Sequence, residues 1–197
     1  MEALDKLVLN PKYHDVLAIL KGVRNGFIYG ARIRFPHALV MTFLFRSGSL
    51  SSKFRAIYKA TREHALKLAA FVAIYKTLLL LQRRLFKPKD EALSIFIAGF
   101  IGGGIVFRKE NSINQQIILY LFSRTVTAIF GELWERSQIP TPKKSFMWFS
   151  AICWGAVMTI YYKKSKYLQP GLLQSMKYIY TDSEVWNSFY TLFISND

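Results

Sequence analysis

The sequence predicts an all-α integral membrane protein. The expected form is a polytopic bundle of four to five helices packed through glycine-zippered faces, in one domain over residues 1–197. Three observations carry this prediction. Gly22, Gly26 and Gly30 recur every fourth residue in LKGVRNGFIYGARIRF, a period that has meaning only on a helix, although glycine is among the poorest helix formers in water. The run SFMWFSAICWGAVMTIYY, Ser145 to Tyr162, is uncharged and close to spanning length. Finally, 27 Lys and Arg stand against 12 acidic residues in a chain that is 52% apolar, and the cations collect between the apolar runs.

The first candidate helix covers 13–34. At 3.6 residues per turn, Gly22, Gly26 and Gly30 share one side and let another backbone approach. Beside that seam Lys21, Asn25, Tyr29 and Arg32 form a polar stripe, while Leu20, Val23 and Phe27 turn toward lipid. Arg24 fits none of these faces. The second candidate, 65–82, is ALKLAAFVAIYKTLLLLQ; of its Lys67 and Lys76, only the first can snorkel easily.

The third, 92–107, is ALSIFIAGFIGGGIVF, apolar and glycine-dense but short for a span. Gly99 pairs with Gly103, and Ala98 with Gly102, as a second seam. A phosphate-cradling loop is the competing reading, but neither the Walker lysine nor its hydroxyl neighbour accompanies the glycines. The fourth, 114–134, and the first both contain internal charge that a strict hydropathy threshold would reject. The fifth, 145–162, has Trp148 near one end and Tyr161 and Tyr162 at the other, where amphipathic rings favour the headgroup level. Ala151, Gly155 and Thr159 give it a small-residue stripe. The joints RSGSLSSK, RRLFKPKDE, RKENSINQ and SQIPTPKKS have turn composition. The tail 167–197 is too interrupted to span and reads as a surface segment.

On the fourth helix Gln116, Tyr120, Arg124 and Thr127 make a second polar stripe. An arginine at membrane depth is costly unless it faces protein, water or a counter-ion. The functional reading joins Lys21, Asn25 and Arg32 to Gln116, Tyr120, Arg124 and Thr127 in one water-accessible groove. The alternatives are a helix lying along the membrane surface, or Arg124 neutralised by Glu132 or Glu135.

Other classes find little support. A soluble nucleic-acid binder would gather its cations on one exposed patch, so nucleic acid is not expected as a partner. Cys153 stands alone, which excludes an intrachain disulfide framework. The stretch MEALDKLVLNPKYHD does not read as a secretory signal. His14, His37 and His64 are far apart in sequence with no ligand spacing, and no Gly-x-Ser-x-Gly elbow occurs; neither catalysis, nor a metal, nor a cofactor is expected. Arg46, Lys53, Arg55, Lys59 and Arg62 fall on one side of the bundle, and Arg83, Arg84, Lys87 and Lys89 on the other, so the distribution of cations leaves orientation open.

LKGVRNGFIYGARIRFPHALVMTFLFRSGSL, IAGFIGGGIVF followed by NSINQQIILYLFSR, and LQPGLLQSMKYIYTDSEVW together resemble a family of peroxisomal membrane proteins. That family is similar in turn to the mitochondrial inner-membrane translocase (TIM) superfamily, whose AG-x-x-x-G element matches Ala98, Gly99 and Gly103. The resemblance implies a multi-pass protein of the peroxisomal membrane with a curved array of helices, inserted after synthesis by a cytosolic import receptor. Arg83, Arg84, Lys87 and Lys89 in QRRLFKPK, and Lys163 and Lys164 in YYKKSKY, are the expected targeting cations. The basic first loop and the run at Ser145 to Tyr162 depart from the superfamily's four-helix plan. The role expected is a scaffold, or a conduit for small solutes or polypeptide. The alternative is a mitochondrial inner-membrane subunit supporting translocation or complex assembly. The lipid bilayer is the expected partner, and a homo-oligomer or larger membrane complex stays open.

Overall fold

A computed structural model describes residues 8–140 and 142–193. The last four residues of the tail 167–197 and the first seven of the chain lie outside them. Among the described residues all regular structure is helical.

Helix α1, His14–Phe45, follows a single turn of 3₁₀-helix at Pro11–Tyr13, where the Asn10 Oδ1 accepts from the Lys12 N–H at 3.0 Å. It continues past Arg34 and carries Pro36 inside it. Pro36 has no N–H, so the Arg32 carbonyl loses its helical donor there. The reversal that follows uses Gly48 at φ +118°, a conformation that a side chain disfavours. Ser49 then caps α2, Leu50–Leu85, its Oγ accepting from the Ser52 N–H at 3.4 Å.

Helix α2 has 36 residues, about 54 Å at the standard rise, against a hydrocarbon core of about 30 Å. Only its carboxyl-terminal half is apolar enough to be buried in lipid. The cationic half from Leu50 to His64 therefore extends past the apolar layer.

Helix α3, Glu91–Val106, starts where the Asp90 Oδ1 accepts from the Leu93 N–H at 3.1 Å. Helix α4, Ser112–Ser137, starts the same way, with Asn111 Oδ1 accepting from the Asn114 N–H at 2.9 Å. Helix α5, Ser145–Lys164, leaves a left-handed Lys144 and is extended by a 3₁₀ turn at Ser165–Tyr167. Beyond it lie α6, Pro170–Met176, a π turn at Lys177–Thr181, a 3₁₀ turn at Asp182–Glu184 and α7, Phe189–Phe193.

Among the described residues, three helices are long and apolar enough to cross a membrane: α2, α4 and α5 with its extension; α3 is apolar but shorter. This is a polytopic helical membrane protein. Helix α4 is among the three despite Arg124, because its other charges cluster at its carboxyl end. Helix α1 is not, since Lys21, Arg24, Arg32 and Arg34 interrupt its apolar run.

The chain forms two compact units, one ending at Phe130 and the other beginning at Gly131. In the first, α1 and α2 run antiparallel and α3 packs on α2. Its core is built largely of small side chains: Ala38, Ala65, Ala69 and Ala98 are buried beside Ile57, Ile113 and Ile117. Small residues bring helix axes close, which is how helices associate where lipid is as apolar as leucine. Large apolar side chains point outward instead, among them Phe100 at 72% and Phe130 at 68% exposure. Such a surface is at home in lipid and unsuited to water. In the second unit the tail folds back on α5. Met176 is buried, the Tyr161 and Thr181 hydroxyls are hydrogen-bonded, and the Tyr161 and Tyr180 rings lie 6.4 Å apart.

Candidate functional site

The glycines of α1 face α2 at backbone distance. A Cβ placed on Gly30 would lie 2.8 Å from the Ala65 Cα, and one on Gly26 would lie 3.1 Å from the Leu68 carbonyl oxygen. At Gly22 it would meet Val72 Cγ1 at 2.9 Å and Lys76 Cδ at 3.0 Å. Backbone atoms cannot give way as a side-chain tip can, so the approach is tightest at Gly26 and Gly30.

The bare surface at Gly22 also solves a charge problem. The Lys76 stem crosses it, and its Nζ donates to the Ala18 carbonyl at 2.9 Å. Lys67 behaves similarly, donating to the Val106 carbonyl at 3.3 Å and so covering the carboxyl end of α3. Both lysines of the apolar α2 segment thus engage helix carbonyls, the partners a buried ammonium needs.

A polar cluster follows one turn beyond Gly30. Arg34, half-buried, donates from Nη1 to Gln116 Oε1 of α4 and to His37 Nδ1, the latter at 3.2 Å. Glu63 of α2 lies close enough to act on Arg34 electrostatically. The guanidinium therefore links α1 to α4 with a carboxylate from α2 nearby, a charge-assisted arrangement stronger than neutral hydrogen bonds. The signal available in the sequence was an arginine one turn past the last seam glycine.

The other expected groove residues lie apart from this link. Lys21 and Arg32 are exposed. Asn25 is exposed and accepts from Arg24 Nη2 at 2.9 Å, which gives Arg24 its partner. On α4, Arg124 lies over the Tyr120 ring at 5.2 Å, and the Thr127 hydroxyl donates to the Ser123 carbonyl. Glu132 is paired with Arg136. Of the seven residues, Gln116 alone makes a side-chain hydrogen bond between α1 and α4 among the described residues.

On α3 the two small-residue pairs have different surroundings. Ala98 is fully buried, and a Cβ on Gly102 would meet the Phe71 ring at 3.3 Å. Among the described residues nothing lies within 4 Å of a Cβ placed on Gly99 or Gly103, nor on Gly155 of α5. The face toward α2 is thus Ala98 and Gly102, and Gly99 and Gly103 look outward.

The expected targeting cations lie on exposed segments. Arg83 bonds Glu91 at 2.7 Å and Arg84 bonds Asp15 at 2.9 Å, tying the end of α2 to the starts of α3 and α1. Lys87, Lys89, Lys163 and Lys164 are exposed.

A family model described as Tim17/Tim22/Tim23/Pmp24 family matches residues 12–123, from the start of α1 into α4. The chain is 48% identical over 195 residues to peroxisomal membrane protein 4 of Bos taurus, covering 98% of this chain and 92% of the relative. It is 44% identical over 194 residues to the Homo sapiens protein of the same name, covering 98% and 91%. No solved structure matches the chain.

Proposed function

Since the chain belongs to the Tim17/Tim22/Tim23/Pmp24 family and is a multi-pass protein of the peroxisomal membrane, we propose that it acts there as a non-catalytic scaffold, docking a membrane helix against α3. The observation that carries this reading is the two-sided character of α3. Its Ala98 and Gly102 side is occupied by α2, while Gly99 and Gly103 offer a second bare side with nothing within 4 Å among the described residues. A glycine pair at that spacing suits backbone contact with another transmembrane helix, from a second copy or from another component. The peroxisomal names of both relatives favour this membrane over the mitochondrial inner membrane.

A conduit for small solutes or polypeptide is the second reading, favoured by the polar link between Arg34 and Gln116. The two readings separate in one preparation. Gly99→Leu with Gly103→Leu should abolish cross-linked species of the chain in peroxisomal membranes, while the purified protein in liposomes passes no more small solute than empty vesicles. Flux that falls on Gln116→Leu, with cross-linking unchanged by the glycine variants, would replace the scaffold with the conduit. Import through a cytosolic receptor remains part of the proposal, with Arg83, Arg84, Lys87, Lys89, Lys163 and Lys164 as the cations it reads.

A further inference from the structure

A cleft of about 560 Å³ opens between α2 and the carboxyl end of α3. Along its α2 wall runs a helical stripe at spacings of four, three, four, four and four: Arg55, Lys59, Arg62, Leu66, Ala70 and Ile74. The stripe changes character once, from cationic to apolar, where the apolar segment of α2 begins. Ile105 and Val106 of α3 form the opposite apolar wall, and Tyr58 stands beside the cations.

Arg55, Lys59 and Arg62 are exposed and have no ion pair or side-chain hydrogen bond among the described residues. Lys67, deeper in the cleft, is held by the Val106 carbonyl, so the negative end of the α3 dipole is covered. Glu63 is the one carboxylate on the lining, and Arg34 draws on its charge from the α1 side. The mouth is therefore net positive and the floor apolar.

Depth fits as well. Arg62 and Lys59 lie roughly 6 and 10 Å along the helix axis from Leu66, at the standard rise. With Leu66 at the edge of the hydrocarbon, those distances fall across the polar zone of the bilayer and just beyond it.

We propose that this cleft binds an anionic glycerophospholipid of the surrounding bilayer. The phosphate sits between Lys59 and Arg62, Arg55 adds positive charge one turn further out, and one acyl chain lies along Leu66, Ala70 and Ile74 against Ile105. Charge complementarity selects the anionic headgroup, since a zwitterionic lipid brings its own cation to a mouth already rich in them. The apolar floor selects a lipid over a nucleic acid or an acidic polypeptide, neither of which has an acyl chain to place there. This inference is independent of the scaffold reading.

The test uses the full chain in a nonionic detergent, titrated with dioleoylphosphatidylglycerol and, separately, with dioleoylphosphatidylcholine. Bound lipid is counted by native mass spectrometry. The anionic lipid should bind at least about tenfold more tightly, and the triple variant Arg55→Gln, Lys59→Gln, Arg62→Gln should lose that advantage. The charge-conserving set Arg55→Lys, Lys59→Arg, Arg62→Lys should keep it. So should Lys163→Gln, Lys164→Gln, Lys166→Gln, which removes equal charge elsewhere. Ala70→Phe, filling the floor at an exposed position, should weaken the anionic lipid while leaving helicity unchanged. Equal affinity for the two lipids, equal loss in the two glutamine sets, or full affinity in Ala70→Phe would each overturn the proposal. Displacement of the lipid by millimolar inorganic phosphate would reduce the site to a simple anion contact. Displacement by an equimolar oligonucleotide or acidic peptide would assign the cleft to a polyanion instead.

Discussion

Lys76 runs its side chain across the bare α-carbon of Gly22 and reaches the carbonyl of Ala18, 2.9 Å from Nζ. One glycine serves two purposes here: it admits α2 and leaves a channel for a lysine stem inside an apolar segment. The Ala18 carbonyl already belongs to the α1 ladder, so the ammonium takes its second lone pair.

That geometry makes the glycine more important than the lysine. Gly22→Leu should destabilise the folded chain by about 2–4 kcal/mol, through crowding at Val72 and loss of the lysine path. Lys76→Met should cost under about 1 kcal/mol, because it keeps the stem and leaves the carbonyl helix-bonded. Unfolding by dodecyl sulfate in mixed micelles measures both. A lysine variant as damaging as the glycine variant would mean that the ammonium holds the pair together.

Substitution of glycine by alanine should change sign with position. At Gly30 the new methyl would sit 2.8 Å from the Ala65 Cα, so Gly30→Ala should lower stability by about 1–3 kcal/mol. Gly103 has open space around it among the described residues. There Gly103→Ala should leave the monomer unchanged or stabilise it by up to about 1 kcal/mol, from helix propensity alone. Melting of the two variants in detergent decides, and shifts of the same sign and size would remove the distinction between the facing and the outward glycines.

These positions also mark what could be read in advance. The spacing of Gly22, Gly26 and Gly30 was legible because a helical period and a missing side chain are both local properties. The uncharged run in α5 was legible for the same reason. The extent of α1 and α2 was not. Pro36 normally ends a helix, and the charges of Leu50 to His64 resemble a loop, yet α1 and α2 brace each other through both stretches, as buried Ala38 and Ile57 attest. Which arginine meets α4 was hidden for another reason. Arg34 and Gln116 are 82 positions apart, and nothing near either residue states that they meet. Arg124 drew attention as a cation within an apolar run, and among the described residues its one partner is the Tyr120 ring.

The Arg34 link should therefore outweigh Arg124 in holding the first unit together. Gln116→Leu removes an acceptor from a half-buried guanidinium and should cost about 1–3 kcal/mol. Arg124→Leu gives up an exposed cation–π contact worth about 0.5–1 kcal/mol and removes a charge from the lipid face, so its net effect should be small or favourable. Thermal melting of the two variants in one detergent tests the order, and the reverse ranking would return Arg124 to the centre of the polar network.

Targeting should be insensitive to the ion pairs that Arg83 and Arg84 make in the folded protein. Both pairs are exposed, with the Arg83 and Arg84 side chains 65% and 61% accessible, and exposed pairs contribute at most about 1 kcal/mol. On the proposed route an import receptor would engage the chain before its helices assemble, when Arg84 and Asp15, 69 positions apart, have not met and the Arg83–Glu91 pair is not yet fixed by the start of α3. Asp15→Asn with Glu91→Gln should leave the peroxisomal fraction of a tagged chain unchanged. Replacing Arg83, Arg84, Lys87 and Lys89 together with alanine should reduce that fraction several-fold, and adding Lys163→Ala and Lys164→Ala should reduce it further. The carboxylate variants control for folding, because they break the same two contacts while keeping every cation. If they mislocalise as strongly as the cation variants, the basic segment acts through the folded bundle and not as a linear signal.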